Sequence, residues 1–260
     1  MKKCSHCGAA NIDSAKFCTD CGNALPAPQA KTGEITPPLE AGSFAEALKT
    51  KAQTLESKRR ADIMFVLDCT GSMQGEIDAI RDAITAFADT IASDGVRSRV
   101  GLIEFRDRLI KEEHRALTFD GEPFTNNPAV FRREVAKLTA TGGGDEPESS
   151  LDAIMLALRQ PFAAGSNKVI VLVTDAPPHI PDKDTKSMEE VVRAIDIAGV
   201  GQFYWVGRTL DAKIQVYLQL LQGRRGMAFD LGKGNDFRSR AEHFKRTLMA
   251  LGKTISTATH

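Results

Sequence analysis

Asp68, Thr70 and Ser72 alternate within the segment 68–72, directly after the apolar run 63–67. Carboxylate and hydroxyl oxygens placed where a strand ends are ligands for hard cations such as Mg²⁺, Mn²⁺ or Ca²⁺. The same pattern is also typical of a turn that starts at Asp68 and a helix capped by Thr70 or Ser72. The three residues are therefore candidate metal ligands if further oxygen ligands reach the same place.

A second group of candidate ligands consists of two C-x-x-C pairs, Cys4 with Cys7 and Cys18 with Cys21. Two such pairs about ten residues apart have the spacing of a tetrahedral zinc site. Four thiolates complete that shell, so we expect His6, inside the first pair, to stay outside it. A segment this small has almost no core, and zinc should supply most of its folding free energy, on the order of 10 kcal/mol.

The sequence divides into four parts by composition. Residues 1–25 resemble the short zinc ribbon found at the N-terminus of many prokaryotic proteins. Residues 26–42, rich in proline, alanine and glycine, predict a flexible linker. Residues 43–57 begin with a capping box and predict a connector helix, which either docks at the domain edge or transmits binding from the ribbon. Residues 58–255 form the predicted large domain.

Composition and charge exclude several classes of partner. Lysine plus arginine equal aspartate plus glutamate at 34 each, so no net field attracts nucleic acid or an anionic membrane. No apolar run is long enough to span a bilayer, and no secretory segment is visible. We therefore expect a cytoplasmic protein without nucleic-acid or membrane partners, and reducing conditions there favour zinc over disulfides.

The large domain alternates buried-type apolar runs with helical apolar spacing. Strands are predicted at 63–67, 100–105, 115–119, 169–173, 203–206 and 227–231. Helices are predicted at 77–91, 131–138, 151–158 (opening near Pro147), 188–195, 214–221 and 237–251. This alternation predicts a doubly wound α/β fold, a mostly parallel six-stranded sheet with helices on both faces.

In such sheets, ligands bind outside the carboxyl ends of the strands, where the strand order reverses. The first strand ends at the segment 68–72, and the buried strand 169–173 ends at Thr174-Asp175. Between them lies the glycine-rich, acidic loop TGGGDEPES, residues 141–149. Three loops that carry oxygen ligands should therefore meet at one edge of the sheet and form a metal site.

The motifs DCTGSM, GGGDEPE and VLVTDAPPH resemble those of a von Willebrand factor A (VWA) domain with a metal-ion-dependent adhesion site. The loops are similar to those of the subgroup found in hemicentin-like proteins and beside alpha-kinase domains. The resemblance implies a Rossmann-like fold over about residues 58–255. It also implies that Asp68, Thr70, Ser72 and Asp175 hold Mg²⁺, with a carboxylate of a protein partner completing the octahedron.

Two positions depart from that family pattern. Thr70 stands where serine is more usual and keeps the hydroxyl, while Asp145 stands where threonine is usual. A third carboxylate should bind the cation more tightly and weaken its attraction for a partner's acid. Two alternatives stay open: Asp145 complements the dipole of the following helix, and Thr141 supplies the hydroxyl instead.

We predict a protein-interaction module rather than an enzyme. The glycine-rich loop lacks the Lys-Ser or Lys-Thr of a phosphate-binding loop. The histidines outside the ribbon have no paired nucleophile. The expected partner is a protein that presents an acidic residue, with the ribbon as a second interaction surface. The alternative function is an accessory subunit of an AAA-type ATPase or chelatase, with an ATPase or kinase system as a candidate partner.

Overall fold

The computed structural model describes residues 2–11, 17–21, 23–25, 60–74, 77–93, 97–144, 146–231, 246, 249, 250 and 255. The predicted linker 26–42, the connector helix 43–57, most of the closing helix 237–251 and Asp145 lie outside the described residues. The chain divides into two compact units, Met1–Thr50 and Lys51–His260.

The described residues of the small unit, all within 2–25, contain very little secondary structure. Strand β1 (Lys2–Lys3) pairs antiparallel with β2 (Ala10–Asn11). Between them Gly8 adopts a φ of +78°, which a glycine adopts without strain, and its amide donates to the carbonyl of Cys4 at 2.9 Å. Two cysteines and Leu25 form the buried cluster. Such a core is too small to hold the fold without a further cross-link.

The large unit is built on a six-stranded sheet. Its strands are β3 (Arg60–Asp68), β4 (Arg97–Phe105), β5 (Arg115–Ala116), β6 (Asn167–Val173), β7 (Gln202–Gly207) and β8 (Ala228–Asp230). Their order is β5-β4-β3-β6-β7-β8, and every neighbouring pair is parallel except β4 with the edge strand β5. The predicted mostly parallel six-stranded sheet is confirmed.

Helices cover both faces of this sheet. They are α1 (Ile77–Ser93), α2 (Pro128–Val135), α3 (Ser150–Leu158) and α4 (Met188–Ile197). Along β3, Ile63, Phe65 and Leu67 pack in one core with residues of α1 and α2, whereas Met64 and Val66 pack in the other with residues of α3 and α4. Burial on both sides explains why β3 is a continuous apolar run. Within the described ranges, no helix combines the length and apolar content needed to cross a membrane.

Helix α3 begins later than the sequence predicts. Pro147 lies before the helix, whose first residue is Ser150. The intervening Glu148 is extended: its amide donates to the carbonyl of Pro177 and its carbonyl accepts from the amide of His179, both at 2.9 Å. Because these bonds tie the segment to the loop after β6, the chain cannot enter the helix at Pro147.

Two other elements are shorter or tighter than predicted. The edge strand expected at 115–119 is only Arg115–Ala116. The segment expected as a helix at 214–221 is a 3₁₀ helix, Gln215–Leu221. Both lie at the margins of the sheet, where local periodicity says less about hydrogen-bond geometry.

The strand order reverses between β3 and β6. From β3 the chain moves to β4 and β5 on one side of the sheet, and then returns to place β6, β7 and β8 on the other. The loops after β3 and β6 therefore leave adjacent strands at the same edge. This reversal is the position at which doubly wound sheets bind their ligands.

At the opposite edge of the sheet, Asp62 forms a buried ion-pair network. Its carboxylate is 2% exposed and accepts from Arg99 Nε at 2.9 Å and Nη2 at 2.6 Å. The amide of Ala163, at 2.6 Å, and the hydroxyl of Ser166, at 3.0 Å, complete it. Burial acts to raise the pKa of Asp62, but these hydrogen bonds outweigh it and lower the pKa below its ordinary value.

We expect Asp62→Ala to lower the free energy of unfolding by about 2–4 kcal/mol, because it leaves buried donors without an acceptor. In contrast, Asp89→Ala, which breaks an exposed pair with Arg132, should cost less than about 1 kcal/mol. Folding lowers the pKa of Asp62, so the carboxylate contributes to the free energy of unfolding above about pH 4. This contribution is lost as the pH falls further. Urea unfolding of the wild type and both variants at pH 7 and pH 3 measures these changes. If Asp62→Ala lowered the free energy of unfolding equally at the two pH values, the predicted pH dependence would be wrong.

Candidate metal centre

Four of the predicted ligands come together where β3 and β6 end. Asp68 is the last residue of β3, and a 3₁₀ turn, Gly71–Met73, starts directly after Thr70. Asp175 follows β6 by two residues. The turn brings Ser72 to the neighbouring loop, where its hydroxyl donates to Asp175 Oδ1 at 3.0 Å.

Their oxygens form a continuous chain. Thr70 Oγ1 donates to Asp68 Oδ1 at 2.6 Å and lies 3.1 Å from Ser72 Oγ, which is in turn 3.0 Å from Asp175 Oδ1. Adjacent oxygen ligands of octahedral Mg²⁺ are about 3.0 Å apart, because each lies about 2.1 Å from the ion. Around six-coordinate Ca²⁺, with bonds of about 2.4 Å, the spacing would be about 3.4 Å. Separations of 2.6–3.1 Å are also the lengths of ordinary O–H···O hydrogen bonds, so they bring the candidate ligands together without selecting a cation.

The hydroxyl protons point toward carboxylates. Asp68 accepts from the Thr70 amide at 3.0 Å and from Thr174 Oγ1 at 2.7 Å, in addition to the Thr70 hydroxyl. Hydroxyls that donate to a carboxylate keep their lone pairs available for a cation, and such outer contacts orient metal ligands. Burial raises the pKa of Asp68 to about 6, although the bonds from Thr70 act to lower it.

An arginine that the sequence analysis did not identify borders the site. Arg208, just after β7, donates from Nη2 to Asp175 Oδ2 at 2.9 Å, and its side chain is 56% exposed. Asp175 is itself buried. The site therefore contains a fixed positive charge beside one of its acids, which competes with a cation for that carboxylate.

The glycine-rich loop closes over the turn after β3 through its backbone. The amide of Gly71 donates to the carbonyl of Gly142 at 2.8 Å, and the amide of Thr141 donates to the carbonyl of Cys69 at 3.0 Å. Thr141 is exposed, and it contacts the turn after β3 through its main-chain amide rather than through its hydroxyl. Asp145 lies outside the described residues, so its predicted ligand role stays a prediction.

Glu148 is the second residue that sequence reasoning missed. It is 5% exposed, and its Oε2 atom is buried without a hydrogen-bond partner in the part of the chain that the structure describes. Burial, followed by the negative charges of Asp68 and Asp107, raises its pKa to about 8. Three acids share this loop, and nothing in their spacing shows which one the backbone turns inward.

His179, in the loop after β6 that carries Asp175, contacts both Asp107 and the segment that contains Glu148. Its Nε2 lies 3.2 Å from Asp107 Oδ1, and its amide donates to the carbonyl of Glu148. Asp107 also caps the 3₁₀ turn Arg108–Ile110 by accepting from the amide of Leu109 at 2.8 Å. These contacts tie the loops after β4 and β6 to the segment that carries Glu148.

In the small unit, the four predicted zinc ligands form one cluster. All four sulfurs lie within 4.8 Å of one another, with Cys4 to Cys21 at 3.7 Å and Cys7 to Cys18 at 3.6 Å. Sulfurs of a tetrahedral zinc site are about 3.8 Å apart, because each Zn–S bond is about 2.3 Å. The sulfur geometry therefore fits zinc. The cluster includes no ring nitrogen of His6.

Backbone and amide donors surround these sulfurs. The amide of His6 donates to Cys4 Sγ at 3.4 Å, and Asn11 Nδ2 donates to Cys18 Sγ at 3.5 Å. Hydrogen bonds from the backbone of Cys21 and Asp20 lower the pKa of Cys18 to about 6. Donors of this kind stabilise the thiolate form that binds metal.

Comparison with known proteins agrees with both units. A von Willebrand factor A domain family model matches residues 62–200, and a zinc-ribbon domain model matches residues 3–25. The chain is similar to alpha-protein kinase vwkA of Dictyostelium discoideum, with 26% identity over 136 residues, 52% of this chain and 21% of that one. It is also similar to hemicentin-2 of Mus musculus, with 32% identity over 120 residues, 45% of this chain and 2% of that one.

A solved structure supports the fold independently. The SpRpn10 VWA domain superposes with a TM-score of 0.50 at 13% identity, covering 70% of this chain and 93% of that one. At this identity the likeness shows the fold alone. Because the chain spans about a fifth or less of the two protein relatives, the activities of those whole proteins do not transfer with the match.

Proposed function

The chain belongs to the von Willebrand factor A domain family, and we propose that it is a cytosolic protein-interaction module that works through a divalent cation. The cation, Mg²⁺ or else Mn²⁺ or Ca²⁺, is held by Asp68, Thr70, Ser72 and Asp175, together with the third loop, in which Asp145 is a predicted ligand. The observation that carries this proposal is the chain of hydrogen-bonded oxygens that joins the loops after β3 and β6.

The candidate metal site is buried on the side of Asp68 and Thr70 and exposed to solvent on the side of Ser72. Asp68 and Thr70 are 0% and 1% exposed, whereas Ser72 is exposed. A bound divalent cation would supply positive charge and a coordination position for a carboxylate on this open side. The buried residues fix the hydroxyls, and the partner approaches over Ser72.

Exposed apolar side chains around the same edge support a protein as the partner. Leu109 and Ile110, which follow β4, are each 50% exposed, as is Ile180 after β6, and Leu210 after β7 is 83% exposed. All four lie on loops at the carboxyl ends of the strands. Large apolar groups beside a charged site fit a protein surface with an acidic residue among apolar ones.

The ribbon offers a second interaction surface. Phe17 is 63% exposed on the small unit. An aromatic ring exposed to this extent on so small a domain is typical of a contact residue. We therefore assign the ribbon to protein binding rather than to catalysis.

The positive charge of Arg208 gives a test of the electrostatics. We expect Arg208→Gln to tighten Mg²⁺ binding about two- to fivefold, because a mostly exposed guanidinium is screened and opposes the cation only weakly. Isothermal titration calorimetry on the intact chain measures this, with Arg132→Gln, in an exposed pair elsewhere, as the matched control. Weaker Mg²⁺ binding in Arg208→Gln would instead show that the arginine positions Asp175 for the metal.

Affinity purification tests the proposed function as a whole. A partner retained by the intact chain in Mg²⁺ should be released by EDTA and recaptured when Mg²⁺, but not Zn²⁺, is restored in excess. Recapture by Zn²⁺ alone would assign the interaction to the ribbon. Retention that is unaffected by EDTA would contradict the proposal.

A further inference from the structure

Glu148 stands out among the acids at the metal centre because one of its carboxylate oxygens is buried and has no hydrogen-bond partner among the described residues. The neighbouring acids all accept donors: Asp68 from Thr70 and Thr174, Asp107 from Leu109, Glu112 from Gly143, and Asp175 from Ser72 and Arg208. Glu148 Oε2 is buried and accepts nothing from the described residues. Burying an unpaired carboxylate in its charged form is strongly unfavourable, so such a group either takes up a proton or is neutralised by a cation.

The backbone holds this side chain at the site. Two hydrogen bonds of 2.9 Å join Glu148 to Pro177 and His179, in the loop that carries Asp175. Because both the amide and the carbonyl of Glu148 are hydrogen-bonded, its main chain is fixed relative to that loop. Glu148 is therefore positioned by the same strand end that positions Asp175.

Gly143 shows where the carboxylate points. A Cβ atom built on Gly143 would lie 2.9 Å from Thr70 Cβ and 3.0 Å from Glu148 Oε1. Both side chains therefore lie against the glycine-rich loop at Gly143. Gly143 has a φ of +73° and no side chain, so its backbone can pass over both of them.

We infer that Glu148 is the ligand that the third loop contributes to the divalent cation. This inference rests on the proposed function, because it requires the metal site at Asp68, Thr70, Ser72 and Asp175. Glu148 then supplies an anionic oxygen from the third loop, next to the loop that carries Asp175. The cation in turn compensates the otherwise unpaired buried charge.

Mg²⁺ titration calorimetry of the intact, zinc-loaded chain tests this assignment. Glu148→Gln, which keeps the shape and removes the charge, should weaken Mg²⁺ binding at least tenfold. Glu146→Gln, which changes an exposed glutamate in the same loop, should leave Mg²⁺ binding within about twofold of the wild type. In metal-free buffer, a thermal scan should show that Glu148→Gln is at least as stable as the wild type. Added Mg²⁺ should raise the melting temperature of Glu148→Gln by less than it raises that of the wild type.

The possible failures separate the two hypotheses. If Glu148→Gln binds Mg²⁺ like the wild type while Asp68→Asn does not, the metal site stands and the assignment of Glu148 is wrong. If Asp145→Asn alone weakens binding, the third-loop ligand is Asp145. If neither Asp68→Asn nor Glu148→Gln changes the affinity, the proposed metal site itself is wrong. A large loss of metal-free stability in Glu148→Gln would make Glu148 a structural residue instead.

Discussion

Asp68→Asn should weaken Mg²⁺ binding by at least a hundredfold and abolish Mg²⁺-dependent capture of a partner. Asp68 accepts hydrogen bonds from the hydroxyls of both Thr70 and Thr174 at its two oxygens. An asparagine has one acceptor oxygen and an NH₂ group, so one of these hydroxyls must turn its proton away from position 68. The substitution removes a negative charge from the site and disturbs the orientation of its neutral ligands at the same time.

Isothermal titration calorimetry and circular dichroism on the same samples check this prediction. Asp68→Asn should keep the far-ultraviolet spectrum of the wild type, since the substitution is isosteric and removes a buried charge. Asp89→Asn, on the exposed surface of α1, should bind Mg²⁺ like the wild type. An Asp68→Asn protein that is folded and binds Mg²⁺ normally would remove Asp68 from the metal site.

Cys18→Ser should unfold the small unit and reduce the bound zinc from one per chain to a trace. Among the described residues of the unit, Cys4, Cys18 and Leu25 form the buried core, so zinc should supply stabilisation on the order of 10 kcal/mol. A serine hydroxyl is a poor replacement for a buried thiolate that ligates zinc. Hydrogen exchange in residues 2–25 should then approach that of an unfolded peptide.

The matched control is His6→Ala. The ring of His6 is outside the sulfur cluster, so this variant should keep one zinc per chain by elemental analysis. Mg²⁺ binding by the large unit should be the same in both variants. A Cys18→Ser protein with full zinc content, or a His6→Ala protein without zinc, would contradict the four-cysteine site.

Local periodicity was enough to predict the fold class. The apolar run of β3 indicates burial on both faces, and the structure places Phe65 and Val66 in opposite cores. Boundaries were less predictable, as at α3, where Pro147 favours a helix start but hydrogen bonds between Glu148 and the loop after β6 delay it to Ser150. Those hydrogen bonds join residues that are far apart in the chain, and the periodicity of apolar residues within one segment cannot predict them.

The metal centre was predictable where the ligands belong to motifs and not where they depend on tertiary contacts. Asp68 and Asp175 stand directly after buried strands, so the rule for doubly wound sheets brings them together. Arg208 follows a strand in the same way, but a single arginine in a loop carries no such signal. Glu148 shares its loop with two other acids, and only its backbone pairing turns it inward.

An electron paramagnetic resonance titration of the intact, zinc-loaded chain with Mn²⁺ tests the central claim most directly. Free Mn²⁺ gives a sharp six-line spectrum that is lost on binding, and zinc-filled thiolate sites do not take up this hard cation. We predict one bound Mn²⁺ per chain, displaced by Mg²⁺ and absent in Asp68→Asn. An undiminished spectrum at millimolar protein, or equal binding by the wild type and Asp68→Asn, would contradict a divalent-cation site at the ends of β3 and β6.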